Sequence, residues 1–155
     1  MHGHTWPCIL AIILCLCACT GQTRYYTYQA TPSPGWTTRD TLHFDLPAFS
    51  NTEHLQLSLA LRLTYDYPYE NLWIVVDQQQ DSVYHTCDTL EITIPPHLRS
   101  LKSEGASFRQ IETPLFPLHL EADHATSIKV RHIMQPATIT GIHDLGLKVD
   151  QPARP

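Results

Sequence analysis

The chain has 155 residues, of which 43% are hydrophobic and 16% charged, and its formal net charge is −5. This length is that of a single domain with a full hydrophobic core. The 15 acidic residues outnumber the 10 Lys and Arg residues, which argues against a nucleic-acid-binding surface, because such a surface needs a basic stripe.

The amino terminus has the pattern of a bacterial lipoprotein signal peptide. An apolar run from Cys8 to Leu16 leads into Leu16-Cys17-Ala18-Cys19, and the sequence turns polar at Thr20. The run is about half of the roughly 20 residues that span a bilayer, and its length fits the apolar core of a secretory signal. We therefore predict that residues 1–18 are removed and that Cys19 becomes the lipidated N-terminus.

The segment after the predicted cleavage site has the composition of a tether. Residues 19–35 are rich in Thr, Tyr, Gln, Ser and Pro and show no apolar period, which predicts a flexible connection between lipid and domain. Tyr25, Tyr26 and Tyr28 either form a docking patch or are tether residues folded back on the domain, and we favour the second.

Alternation of apolar and polar residues then predicts strands. Leu42, Phe44 and Leu46 alternate with polar residues, and residues 55–63 carry Leu at every second position. A period of two places all these apolar side chains on one buried face. A slip of one residue would expose every Leu of the second strand, so its register is firmly set.

A turn and a series of shorter strands complete the predicted domain. Pro68 and Asn71 mark a turn, and Leu72–Val76 is apolar on both faces, which predicts a central strand. Further strands are predicted at residues 82–86, 89–94, 115–120, 127–134 and 146–149. Pro95 and Pro96 end the strand before them, and we expect a short helix or hairpin between Pro96 and Pro114.

These elements predict an all-β fold consisting of a single antiparallel β-sandwich domain. The domain is expected to span residues 36–150 and to be followed by a frayed tail at 151–155.

No motif in the sequence predicts catalysis, a cofactor or a metal site. The histidines that remain after signal cleavage never form HxH, HxxxH or HExxH. GxSxG and phosphate-binding glycine loops are also absent from the sequence. Cys87 would be the one thiol left beside a lipidated Cys19, so no internal disulfide is expected, and a structural cysteine is favoured over a nucleophile.

One aromatic group has the composition of a binding patch. Tyr65, Tyr67, Tyr69 and Trp73 lie within nine residues, and Tyr and Trp combine a large contact area with a polar tip. Two interpretations stay open: the rings seal the end of the sandwich, or they bind a protein or a sugar. An exposed patch would be a contiguous apolar surface.

Several motifs, taken in order, resemble those of the gliding motility lipoprotein H family of Bacteroidota. The resemblance spans Trp36 to Val149 and is carried by Gly35-Trp36, the Leu-rich strand with Arg62, Asp66-Tyr67-Pro68-Tyr69-Glu70-Asn71-Leu72, Asp88-Thr89-Leu90-Glu91, and Thr140-Gly141-Ile142-His143-Asp144-Leu145-Gly146-Leu147. It implies a non-enzymatic accessory lipoprotein of a cell-envelope motility apparatus allied with a secretion system. The implied partners are the membrane, through the lipid anchor, and envelope proteins of that apparatus.

The residue after the predicted lipid Cys suggests a location. Thr20 differs from the Asp associated with inner-membrane retention, and no acidic run of the kind linked to surface export follows. We expect the periplasmic face of the outer membrane. The alternative function is a carbohydrate-binding β-sandwich lipoprotein, with the same aromatic group stacking on sugar rings.

Overall fold

A computed structural model describes residues 23–49, 53–80, 84–100, 108–114, 116–120 and 122–151. The predicted signal peptide and Cys19 lie outside these residues. The described part of the chain is built from antiparallel strands and one short helix, which confirms the all-β prediction.

The strands in chain order are β1 (Thr23–Ala30), β2 (Trp36–Thr37), β3 (Leu42–Leu46), β4 (Glu53–Leu63), β5 (Asn71–Gln80), β6 (Tyr84–Thr93), β7 (Arg109–Glu112), β8 (Phe116–Leu120), β9 (Thr126–His132), β10 (Thr138–Ile139) and β11 (Ile142–Asp150). The helix α1 (Pro96–Ser100) follows β6.

Two antiparallel sheets form the sandwich. The five-stranded sheet has the order β1-β11-β4, with β7 and β8 both paired to the far edge of β4, and the four-stranded sheet has the order β3-β9-β5-β6. β2 and β10 form a separate two-stranded ribbon. Along one side of the sandwich β1 lies against β3. Buried side chains from both sheets form one hydrophobic cluster between them.

The alternating leucines of β4 form the centre of this core. All five side chains from Leu55 to Leu63 are buried, and Leu61 lies directly opposite Leu145 of β11 and Ile111 of β7. β5 is an interior strand between β9 and β6, as its apolar sequence predicts. Its inward residues Leu72, Ile74 and Val76 are buried, and they complete the opposite wall of the core.

The tether prediction is wrong for residues 23–30. These residues form β1, which pairs with β11 from Thr23 opposite Asp150 to Ala30 opposite Asp144. The ordered β structure therefore begins well before Trp36. An edge strand needs no apolar alternation, because it buries fewer side chains and takes its stability from backbone pairing.

The division of residues 82–94 into two strands is also wrong. β6 is a single strand from Tyr84 to Thr93, paired with β5 along its whole length. The polar residues at the centre of β6 are typical of a turn, which led to the prediction of two strands. In the following segment the expected short helix is α1, and β7 lies beyond it, while residues 101–107 are outside the described part.

Candidate functional site

The two most specific sequence motifs meet at one end of the sandwich. The turn after β4 is closed by Tyr67 N–H donating to the Thr64 carbonyl at 3.3 Å, and Thr64 N–H donates to the Gly141 carbonyl at 2.9 Å. Gly141 has a φ of 84°, and a Cβ atom there would lie 2.5 Å from Tyr67 Cα. Only glycine allows this turn and this approach of two backbones.

Tyr67 is buried under this turn. Its hydroxyl donates to the Asn71 carbonyl at 2.9 Å, and burial raises the pKa of the phenol well above its usual value. The Tyr69 ring packs edge-on against it with centroids 5.5 Å apart. This pair covers the end of the core, which is the sealing role anticipated for a Tyr-Pro-Tyr turn.

The other two predicted aromatic residues have different neighbours. The guanidinium carbon of Arg109 lies 5.2 Å from the centroid of the Tyr65 ring. Arg109 is itself buried, and it donates to the carbonyls of Thr64, at 2.8 Å, and of Leu98. The structure thus brings Tyr67 and Tyr69 into ring contact and places Tyr65 beside a cation on β7.

Trp73 is the exposed member of the predicted group. It lies on the outer face of the four-stranded sheet with 39% of its surface accessible. The Ile133 N–H donates to the Trp73 carbonyl at 2.9 Å, and Ile133 is likewise 39% exposed. Trp73 N–H approaches Met134 Sδ at 3.3 Å. We call Trp73, Ile133 and Met134 the Trp73 patch.

The outer face of the five-stranded sheet carries a second cluster that sequence analysis missed. The Arg62 guanidinium carbon lies 3.7 Å from the Tyr28 ring centroid and 5.0 Å from that of Phe108. The same guanidinium contacts Asp144 Oδ2 at 3.4 Å and Gln110 Oε1 at 3.3 Å. We call these five residues the Arg62 stack. Cation–π contacts with two rings and hydrogen bonds to two polar partners fix this side chain.

Tyr28 lies flat across Gly146 of β11. A Cβ atom on Gly146 would be 2.6 Å from Tyr28 Cε1, so the ring fills the place of the missing side chain. Its hydroxyl bonds to that of Tyr26 and donates to Gln110 Oε1 at 3.1 Å. Burial and the Tyr26 hydroxyl raise the pKa of Tyr28 to about 12. The available sequence signal was the Tyr-x-Tyr spacing, which places both rings on one strand face.

The titratable groups near this stack serve packing and charge balance. His143 Nδ1 lies 2.8 Å from Asp144 Oδ2, and Asp144 is buried between His143 and Arg62.

His132 is fully buried away from this stack. Its Nε2 donates to the Trp36 carbonyl at 3.0 Å and its Nδ1 accepts from Met134 N–H. Burial lowers the pKa of His132. This arrangement fixes a neutral histidine as a structural link between β9 and β2.

The remaining candidate residues are scattered. Cys87 is an exposed free thiol on β6, and the neighbouring His85 pairs with Asp77 at 2.9 Å. Within the described ranges no three His, Cys, Asp or Glu side chains are grouped as metal ligands. The same described ranges contain no helix long and apolar enough to cross a membrane.

Comparison with known families decides the relationship. A model of the family described as GldH lipoprotein matches residues 23–149. The chain belongs to the GldH lipoprotein family. The family match begins at the first residue of β1 and ends one residue before the end of β11, so it covers both sheets. The resemblance drawn from the sequence motifs is confirmed.

Two individual proteins are similar to this GldH family member. A protein of Flavobacterium johnsoniae named gliding motility lipoprotein GldH is 27% identical over 153 residues, covering 92% of this chain and 93% of the relative. Among solved structures, dimeric latent PorU from Porphyromonas gingivalis matches with a TM-score of 0.41 and 7% identity, covering 86% of this chain and 13% of that chain. This chain thus spans a small part of that longer protein.

Proposed function

We propose that the protein is a non-enzymatic gliding motility lipoprotein, anchored in the membrane through lipid on Cys19 and accessory to a cell-envelope motility and secretion assembly. The observation that carries this proposal is the GldH lipoprotein match over residues 23–149. The name of the Flavobacterium relative supplies the connection to gliding motility. Its coverage of 92% of the chain at a similar total length supports the same role for the whole protein.

The position of β1 supports a close anchor. Thr23 follows Cys19 by four residues, so an extended chain would separate them by at most about 14 Å. Thr23 pairs with Asp150, and the strand then runs to Ala30, roughly 23 Å away at the rise of a β-strand. We infer that the end of the sandwich bearing Thr23 and Asp150 faces the lipid surface.

The same geometry directs the Trp73 patch away from that surface. β4 ends at Leu63, which pairs with Ile142 at the end opposite Asp150, and β5 begins there at Asn71. Trp73 is the third residue of β5 and therefore lies near the membrane-distal end. Exposed Trp and Ile side chains on a rigid sheet are typical of a protein contact. We propose that this patch contacts an envelope protein.

The proposed site is the exposed part of the aromatic group identified from the sequence. Tyr69 and Tyr65 are half-buried, whereas Tyr67 seals the core and supports the turn from beneath. Trp73 and Ile133 therefore take the contact role in the proposal, and Tyr65, Tyr67 and Tyr69 position the turn.

The proposed location is the periplasmic face of the outer membrane. Thr20 follows Cys19 without an inner-membrane retention Asp. Several acyl chains, each stabilising the inserted state by about 0.8 kcal/mol per buried CH₂, would make the attachment effectively permanent. Recovery in the inner-membrane fraction, or labelling on intact cells, would contradict this location.

Cross-linked co-purification from the producing cells tests the contact. A tagged full chain is expected to retain one envelope partner that is lost in a Trp73→Ala plus Ile133→Ala variant. Tyr26→Ala is the matched control, because it removes an aromatic side chain that is 43% exposed on the opposite sheet. An unchanged set of partners in the double variant would contradict the patch as the contact.

A saccharide-binding role is the second candidate. It is favoured by exposed Tyr26 beside Tyr28, whose rings are 5.1 Å apart on a sheet face that also carries Arg62 and Gln110. Aromatic faces next to amide and guanidinium donors suit sugar rings. Glycan-array binding lost in Tyr26→Ala but retained in Trp73→Ala would assign sugar binding to this face, and binding lost in Trp73→Ala would assign it to the Trp73 patch.

A further inference from the structure

The two long sides of the sandwich are built differently. On one side β1 lies against β3. On the other, β6 of the four-stranded sheet faces β7 and β8 of the five-stranded sheet across a groove. The groove consists of two adjoining cavities of about 410 and 280 Å³ that share Phe116 as a lining residue. We call it the seam groove.

The floor of the seam groove is apolar and is supplied by both sheets. Leu90 of β6, Ile111 of β7 and Phe116 of β8 are half-buried against the core and line the larger cavity. Leu90 lies opposite the buried Ile74, and Ile111 opposite the buried Leu61, so both side chains point between the sheets. Their remaining exposed surface is available to a side chain that enters the groove from outside.

The rim of the seam groove is acidic. Asp88 lies opposite Val76, which faces the core, so its carboxylate is at the mouth of the smaller cavity. Glu91 and Glu112 border the larger one. None of the described residues that line either cavity is Lys, Arg or His. This charge pattern complements a basic ligand and repels an anionic one such as a fatty acid or an acidic lipid headgroup.

The two sheet edges at the mouth of the groove differ in whether their backbones can pair with another strand. β6 is ten residues long, contains no proline, and is the last strand of its sheet in the described part of the chain. The opposite edge is interrupted at Thr113, whose N–H and hydroxyl bond to Leu59, and Pro117 removes a donor from β8. β6 is therefore the edge that can add a strand, and inward Asp88 deters a strand without a matching cation.

We propose that the seam groove binds an extended segment of an envelope protein, added as an extra strand along β6, that carries apolar residues and one Lys or Arg on a single strand face. An apolar side chain of this segment enters the groove over Leu90 and Phe116, and the cation two positions away on the same face meets Asp88. Backbone pairing provides affinity and the acidic rim provides selection. The inference deepens the partner-binding role proposed above, but it depends on residues outside the Trp73 patch.

Peptide binding to the full chain in detergent micelles tests the proposal. The probe is a synthetic peptide with Leu and Lys two positions apart on one strand face and Thr at the intervening positions, and its control carries Glu in place of the Lys. Saturable binding of the Lys peptide is expected, with the largest amide shifts in residues 85–93 by NMR, and little binding of the Glu peptide. Binding of neither peptide, equal binding of both, or shifts confined to other strands would overturn the proposal.

A charge-reversal pair separates the rim from general charge. Asp88→Lys is expected to lower the affinity for the Lys peptide about fivefold or more and to raise the affinity for the Glu peptide. Asp45→Lys makes the same change on exposed β3 of the same sheet and is expected to leave both affinities unchanged. Equal effects of the two variants would overturn the role of Asp88.

Two further outcomes identify a different occupant. Displacement of the peptide by oleate would make the groove a lipid site, and concentration-dependent dimers abolished by Asp88→Lys would make it a self-association edge. Either result overturns the proposal. Loss of the partner in the Trp73→Ala plus Ile133→Ala variant together with absent peptide binding would retain the proposed function and reject this groove as its contact.

Discussion

At the scale of single residues, Gly141 is the position where the fold tolerates least change. Alanine there would carry a positive φ and a Cβ 2.5 Å from the Tyr67 backbone. We expect Gly141→Ala to lower the free energy of unfolding by about 1–3 kcal/mol, measured by urea denaturation. Gly146→Ala is the comparison, because its nearest obstacle is the Tyr28 side chain, and its loss should be smaller. Equal losses would contradict the account of the turn.

His132 is expected to make stability depend on pH. Its folded pKa is lowered by burial, so the unfolded chain takes up this proton at higher pH than the folded one. The stabilisation is complete above the unfolded pKa of about 6.5 and is lost as the pH falls below it. The unfolding free energy of the wild type should drop more between neutral and mildly acidic pH than that of His132→Gln. Parallel pH profiles for the two proteins would contradict this role.

At the scale of elements, β3 and β4 were predicted from the alternation of apolar and polar residues, and β5 from a run that is apolar on both faces. β3 and the leucines of β4 show a period of two because one face is core and the other is not. β1 escaped prediction, since its contribution is backbone pairing to β11 with Tyr25 on the core and Tyr26 and Tyr28 on the outer face. Periodicity reports burial, and β1 buries few of its side chains.

The candidate site likewise has one part that the sequence predicted and one part that it did not. The aromatic group from Tyr65 to Trp73 was found because its members are close in sequence. The Arg62 stack joins β1, β4 and β11 with Phe108 and Gln110 at β7, and no spacing within one segment reports a contact among separate strands. Strand order decides which outer-face residues become neighbours, and strand order could not be read from one sequence.

The Arg62 stack predicts that β1 is held by side chains as well as by its backbone. Arg62→Ala removes the cation that contacts Tyr28 and Phe108 and leaves Asp144 buried with one partner fewer. We expect faster amide hydrogen exchange in β1 and a stability loss of about 1–2 kcal/mol. Arg62→Lys should restore little of the stability that Arg62→Ala loses, because an ammonium does not stack on aromatic rings as a guanidinium does. Arg131→Ala, exposed on the other sheet, should leave β1 exchange unchanged; a similar acceleration there would refute the assignment.

At the scale of the whole molecule, the two ends of the antiparallel sandwich differ, with the proposed lipid end at Thr23 and Asp150 and the Trp73 patch near the other end. β1 begins four residues after Cys19 and ties the proposed lipid end to the sheet through β11. The Trp73 patch lies near the opposite end, and the seam groove runs along the side away from β1. In the proposed role, the lipid fixes the protein to the membrane while its distal and lateral surfaces remain accessible to envelope partners.

Lipidation of Cys19 is the claim on which this arrangement depends. The direct measurement is expression of the full chain with a clickable palmitate analogue, beside Cys19→Ala, followed by intact mass of the membrane-fraction product. The account predicts a labelled product that begins at Cys19 and carries lipid, and an unlabelled Cys19→Ala protein. An unlabelled soluble product from the wild-type chain, or equal labelling of both, would contradict it.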